Sequence, residues 1–247
     1  MTPRRDPNLC GGLVGKGLYV RDPAARKGAS AMAALDAIDA DWALVNVAYP
    51  ETCKAVASKR ATLVYALPEK FDDGLGSIAP DEWRRTALRL CAVADAANAY
   101  GVCLNLERGW ALATPGEIRE LVAWLVAEGK RRVIVIATHD GLRRKFAPVA
   151  AECSRAGIIA SPECYDHQIA TGGYRPFVET RIADWRAAGW TSLMPSVGSI
   201  PAPSAQNDAR KFAAFWAETN GHVGYPAAIW PVSTSSASIA AMRAWMP

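Results

Sequence analysis

The strongest constraint on this chain is a repeated alternation of two kinds of segment. Short apolar, β-branched-rich runs lie at 17–20, 42–49, 61–67, 102–106, 132–138, 157–161, 191–195 and 227–231. They are continuous rather than alternating, which suits parallel strands covered on both faces. Parallel neighbours need long crossover connections, and the segments between these runs carry helical periodicity. Eight strand–helix units in 247 residues predict a single closed (β/α)8 barrel. A doubly wound sheet is the competitor. It would place a glycine-rich turn after the first strand, where this chain has Arg21-Asp22-Pro23-Ala24. With no linker and no shift in composition, residues 1–247 read as one domain, and 1–14 as an N-terminal arm or a plug beneath the barrel.

Helix punctuation falls between the runs. Thr114-Pro115-Gly116-Glu117 predicts a capping box with proline at the first helical position. An apolar stripe of Ile118, Leu121, Val122, Leu125 and Val126 follows, and Gly129 closes it. Pro80-Asp81-Glu82 opens the longest predicted helix, with its acids at the positive end and Gly101 as its stop. Further helices are expected over 177–188, 205–219 and 235–245.

Composition narrows the function classes. Hydrophobic residues at 51% and charged residues at 21% supply a full core and exclude a disordered chain. A formal charge of +4, without a long basic run, gives nucleic-acid binding no support. No apolar run approaches the roughly 18 residues of a membrane span. Met1-Thr2-Pro3-Arg4-Arg5-Asp6-Pro7 leads into no apolar signal core, so the chain is expected in the cytoplasm unless another route exports it. The cysteines at 10, 53, 91, 103, 153 and 164 form no C-x-x-C pair and read as buried free thiols.

Barrel chemistry sits at the C-terminal strand ends, so the residues following each run are the candidates. Asp22 follows the first run, Asn105, Glu107 and Trp110 the fourth, His139 and Asp140 the fifth. Glu163, Tyr165 and Asp166 follow the sixth, and Trp230 lies in the eighth. Glu107 lies two residues past Asn105, so both are expected on one side of the strand. An acid at the barrel mouth is partly desolvated, and desolvation raises a carboxyl pKa toward what a general acid needs. Rival chemistries are poorly served. His139, His167 and His222 form no H-x-H pair, so neither metal nor other cofactor is expected. No strand interior holds a Schiff-base lysine. A phosphate cup would rest on Gly198 alone, among Pro201, Pro203, Pro226 and Pro231. Glycoside hydrolysis remains, with paired carboxylates and the aromatic platform Trp110, Tyr165, Tyr174 and Trp230. Trp83, Trp124, Trp185, Trp216 and Trp245 fall on helix patterns and read as packing. Arg143-Arg144-Lys145 reads as a solvated helix face, with contact to an anionic polymer as the minority alternative.

The ending Asn105-Leu106-Glu107 resembles the D-x-E strand ending of chitinase-like and lysozyme-type (family twenty-five) glycoside-hydrolase barrels. The resemblance implies that Glu107 is the proton donor. Cys164-Tyr165-Asp166 resembles the Tyr-Asp of chitinase-like barrels, which implies a role in positioning an N-acetyl group. Trp230 resembles their tryptophan beneath the scissile sugar. Asn105 departs from the pattern, standing where the family has aspartate. An amide can hydrogen-bond Glu107 or a substrate amide but cannot share a proton or carry charge. That leaves open a different acid pair, Glu107 with Glu163 or Asp166. It equally leaves open a barrel that binds glycans without cleaving them, as part of a larger assembly such as a virion. Compact size and the missing leader look like a phage-type cell-wall lysin carried out by other proteins or by a virion. A third reading is a metal-assisted hydrolase built on His139 and Asp140. The expected partner is a polysaccharide substrate, with no nucleic acid and no membrane span.

Overall fold

A computed structural model describes residues 13, 15–20, 28–37, 39–66, 82–106, 108–165, 174–198 and 227–230. Its strands are β1 Lys16–Val20, β2 Trp42–Asn46, β3 Ala61–Tyr65, β4 Gly101–Asn105, β5 Val133–Thr138, β6 Ile159–Tyr165, β7 Ser196–Gly198 and β8 Ala227–Trp230. The helices between them are α1 Gly28–Ala37, α2 Pro50–Ala57, α3 Trp83–Ala97, α4 Pro115–Gly129, α5 Arg143–Arg155 and α6 Tyr174–Ala187. All eight strands are parallel, each pairs with its sequence neighbour, and β8 closes on β1. Following the pairing partners once round the barrel, the ladder closes with a stagger of eight residues. This is the stagger of barrels whose bore is filled by side chains.

The continuous apolar runs divide between two cores. On β4, Val102 and Leu104 join a large cluster with Leu90, Leu121 and Leu125 of the surrounding helices. Cys103 faces the other way, into a bore cluster with Tyr19, Trp42, Leu44, Leu63, Tyr65, Val135, Ile159 and Met194. Leu13, from the expected arm, is buried in that bore cluster. Alternate residues thus serve two apolar environments, which is why the runs show no period of two.

A local signal sets the start of α4. The Thr114 side chain accepts from the Glu117 amide, and Glu117 reaches back to the Thr114 amide, completing the expected capping box. The Thr114 contacts also hold the Glu117 carboxyl below its ordinary range. Gly101 does not stop α3. That helix ends at Asn98 in the left-handed conformation, φ 50°, and Gly101 begins β4. A Cβ at Gly101 would lie 2.1 Å from the Val133 carbonyl oxygen, so the glycine serves close strand approach. The α3 start also differs from expectation. Glu82 is its N-cap without a side-chain cap bond, and the first turn holds no acid.

Strand boundaries differ from expectation: β2 and β3 end earlier, at Asn46 and Tyr65, and β6 and β7 are displaced along the chain. β6 runs on through Glu163 to Tyr165, and β7 begins at Ser196, with only a bridge from Ala160 to Leu193 in the expected stretch. A proline at position 162 is tolerated because β6 keeps pairing on both sides with the donors of other residues. The expected helices over 205–219 and 235–245 lie outside the described residues.

Candidate active site at the barrel mouth

The bore is polar toward its C-terminal mouth. Cys164 belongs to the outer, helix-facing cluster. By strand alternation Glu163 therefore faces the bore, where it is 8% exposed. Asn105 ends β4 with the same inward parity, one step beyond the bore residue Cys103, and is also 8% exposed. Asn105, Ala137 and Ser161 are pairing partners across three adjacent strands. Glu163 lies one inward step beyond Ser161 and pairs with Ser196 of β7.

Beneath these two residues runs a chain of buried hydroxyls. Ser161 Oγ lies 2.8 Å from Ser196 Oγ, and the Tyr19 hydroxyl lies 3.5 Å from Ser196 Oγ and 3.9 Å from Cys103 Sγ. The Tyr65 ring meets Tyr19 edge-on at 5.1 Å, and its hydroxyl donates to the Val20 carbonyl at 3.3 Å. Burial raises the Tyr19 phenol well above its ordinary range and lifts the Cys103 thiol to about 12. The floor is thus uncharged around neutral pH and holds hydrogen-bonding groups in fixed places. Sequence reasoning missed it. The available signal was the isolated hydroxyls at inward parity in apolar strands, Tyr19 in β1 and Ser161 in β6.

The turn after β5 is built around His139 and Asp140. His139 is extended, φ −78° and ψ 160°, and its Nδ1 accepts from the Gly141 amide at 2.9 Å, capping the short 3-10 turn Asp140–Leu142. Asp140 accepts from Arg143 Nε at 3.0 Å and from Arg181 Nη1 at 2.6 Å, using one carboxylate oxygen for each. Burial pushes the Asp140 carboxyl up, but Arg181 and Arg143 outweigh it and leave its pKa lowered. With both oxygens committed to arginines, Asp140 does not suit the metal-ligand role of the third reading. The Cys164 thiol, pushed to about 12 by burial, also feels Arg181, Glu163 and Asp140, so these charges share one neighbourhood around β6.

Other expected site residues fare differently. Trp110 was expected as a sugar platform, but it is fully buried in the outer core against Phe146, ring centroids 6.4 Å apart. No face of the indole is open to a sugar, because the 3-10 turn Arg108–Leu112 carries the ring inward between barrel wall and α5. Tyr165 and Trp230 stand level on the backbone, each paired with Gly198 of β7; their side chains lie outside the described set. Glu107, Asp166 and Asp22 lie outside the described residues, as does the Tyr174 side chain. In the basic cluster, Lys145 donates to the Ala111 carbonyl at 3.0 Å and Arg143 is tied to Asp140, leaving Arg144 exposed. Trp83, Trp185 and Trp190 are buried, the last two 5.9 Å apart. Cys53, Cys103, Cys153 and Cys164 are buried free thiols, whereas Cys91 is half-buried. Among the described residues, no helix is long and apolar enough to cross a membrane.

No protein-family model and no curated protein sequence matches the chain. Solved structures do. The catalytic domain of a family GH18 chitinase from the fern Peteris ryukyuensis matches at 12% identity and TM-score 0.61, covering 93% of this chain and 97% of that one. A β-mannanase from Thermomonospora fusca matches at 14% identity and TM-score 0.60, covering 92% and 81%. Tryptophan synthase from Mycobacterium tuberculosis also matches, at 12% identity and TM-score 0.54, covering 99% and 96%. Such low identities establish the fold, a (β/α)8 barrel, and the chemistry has to come from the site.

Proposed function

We propose that the chain is a glycoside hydrolase acting on a polysaccharide, with a cell-wall or N-acetylated polymer as its substrate class. The observation that carries this reading is the buried Glu163, facing the bore at the C-terminal mouth one inward step beyond Ser161 and paired with Ser196 of β7. A carboxylate in a partly dry, polar-floored mouth is what glycosidic cleavage uses. The fold likeness to a chitinase and a mannanase supports the same class. In this reading Glu107, two residues beyond Asn105 in sequence, protonates the leaving oxygen. Glu163 or Asp166 serves as base, nucleophile or positioner. Tyr165 and Trp230, level across β6 to β8, belong to the sugar-binding rim.

Strands β4 and β6 are separated only by β5. Parallel neighbours lie about 4.8 Å apart, so the ends of these two strands stand roughly 10 Å apart. The expected carboxyl separation is therefore in the range of about 6.5–9.5 Å that admits a water and gives inversion. The test is release of reducing ends from peptidoglycan, chitin and mannan by the purified chain and by Glu107→Gln and Glu163→Gln variants. Loss of general acid catalysis costs roughly 10²–10⁴-fold, and anomer analysis by NMR reads inversion or retention. Wild-type rates in both variants would overturn the reading.

Asn105 favours a second reading, a catalytically silent barrel that binds glycan without cleaving it, as a glycan-binding or structural part of a larger assembly. Glycan binding by the wild-type chain with no product from any of the three polymers would establish it. The phage-type lysin assignment, with export by other proteins or by a virion, belongs to the proposal on the same footing.

A further inference from the structure

The register of the barrel sorts its bore-facing residues into layers. A stagger of eight residues over eight strands advances the level by one residue at each strand. Side chains alternate in and out, so each level draws its inward members from alternate strands. Counted round from Asn46 of β2, the inward members of one level are Asn105 of β4, Glu163 of β6 and, on the backbone, position 230 of β8. The contacts beneath agree with this order. One level down, Tyr19 of β1 and Ser196 of β7 meet at 3.5 Å, and the Tyr65 ring of β3 meets Tyr19 edge-on. A further level down, Leu44 of β2 and Cys103 of β4 lie in the bore cluster.

Asn46 brings a held but unused donor to this upper layer. It ends β2, two residues beyond Leu44, and is half-buried where Asn105 and Glu163 are nearly sealed. In the turn that leads to α2, the Ala48 amide donates to Asn46 Oδ1 at 2.9 Å. A backbone N–H can only donate, so this bond fixes which end of the side-chain amide is oxygen and directs Nδ2 away from the turn. Among the described residues Nδ2 meets no hydrogen-bond partner, and it keeps access to solvent. The turn by itself needs only the oxygen, which aspartate or serine would supply. β2 and β6 stand four strands apart in the closed ring of eight, so Asn46 lies across the bore from Glu163.

We propose that Asn46 is a substrate-binding residue, whose Nδ2 donates to a hydroxyl or acetamido oxygen of the sugar held in the mouth, from the wall opposite Glu163. The assignment rests on the glycosidase or glycan-binding reading above and deepens it. A neutral amide donor suits a sugar, whose hydroxyl and amide oxygens accept hydrogen bonds without carrying charge. Holding Oδ1 in the turn fixes the donor before binding and removes the ordering cost that a mobile side chain would incur.

Asn46→Asp and Asn46→Ser separate the two roles of the residue. Both keep an oxygen for the Ala48 amide, while aspartate loses the donor and serine shortens its reach. Titration uses N-acetylglucosamine pentamer and a disaccharide–peptide fragment of peptidoglycan, with thermal unfolding run in parallel. Both variants are expected to keep the wild-type midpoint and to bind about fivefold to tenfold more weakly, the range of one neutral hydrogen bond. Wild-type affinity in both would make Asn46 a turn residue only and overturn the proposal while the functional reading stands. Nitrogen-15 NMR of the wild-type chain gives a readout that does not depend on how the variants fold. The assigned Asn46 side-chain NH2 signals should shift as pentamer is added, and signals that stay in place at saturation would overturn the proposal. If wild type binds neither probe and cleaves none of the three polymers, the functional reading fails and takes the proposal with it.

Discussion

Trp110 offers a direct test of core against sugar platform. The indole is fully buried and lies against Phe146 at 6.4 Å between ring centroids, inside the cluster that joins barrel wall to helices. Truncation to alanine removes the largest side chain available from a site that can relax only in part. Such Trp→Ala changes cost about 3–5 kcal/mol through lost transfer energy and the cavity left behind. For a domain of this size each kcal/mol lowers the unfolding midpoint by about 2–4 °C, so a fall of about 6–20 °C is expected. Trp110→Phe, which keeps an aromatic ring, should lose a smaller part of this. The assay is thermal unfolding of both variants followed by circular dichroism, with glycan titration below the transition. Folded Trp110→Phe should bind N-acetylglucosamine oligomers as wild type does. An unchanged midpoint together with lost glycan binding would refute the core assignment and restore the indole to the sugar platform.

Two further outcomes follow from the strand contacts and the ion pairs. Gly101→Ala places a methyl group 2.1 Å from the Val133 carbonyl oxygen, a backbone atom of a paired strand, and should cost at least the upper part of about 1–3 kcal/mol in urea unfolding. The control Gly116→Ala meets nothing closer than Thr114 Oγ1 at 3.7 Å and should lose no stability. Asp140, whose folded pKa is lowered by Arg181 and Arg143 against the opposing effect of burial, contributes stability that is present above the ordinary carboxylate range. That contribution is lost as pH falls through the lowered folded value, so the wild type should lose its margin over Asp140→Asn as unfolding is measured at progressively lower pH. A margin that stayed constant from neutral pH to about pH 2 would refute the link.

The sequence alone determined the architecture. Apolar runs without a period of two, each followed by a helical segment, leave few arrangements for parallel strands, and the structure closes them into the expected barrel. The capping box at Thr114 was equally legible, because it depends on residues three apart in the chain. Tertiary structure decided what depends on distant neighbours. Gly101 reads as a helix stop until β5 is seen to press on β4. Trp110 reads as a rim aromatic until α5 is seen to cover it. The floor of Tyr19, Ser161 and Ser196 comes from three strands far apart in sequence, and no local pattern announces a contact made only when the barrel closes. Asp140 carried the same limit: its acidity was legible, but Arg181, 41 positions along the chain, reaches it only through the docking of α6. Local propensity and periodicity are written in neighbouring residues, whereas burial, charge pairing and site geometry are properties of which surfaces meet.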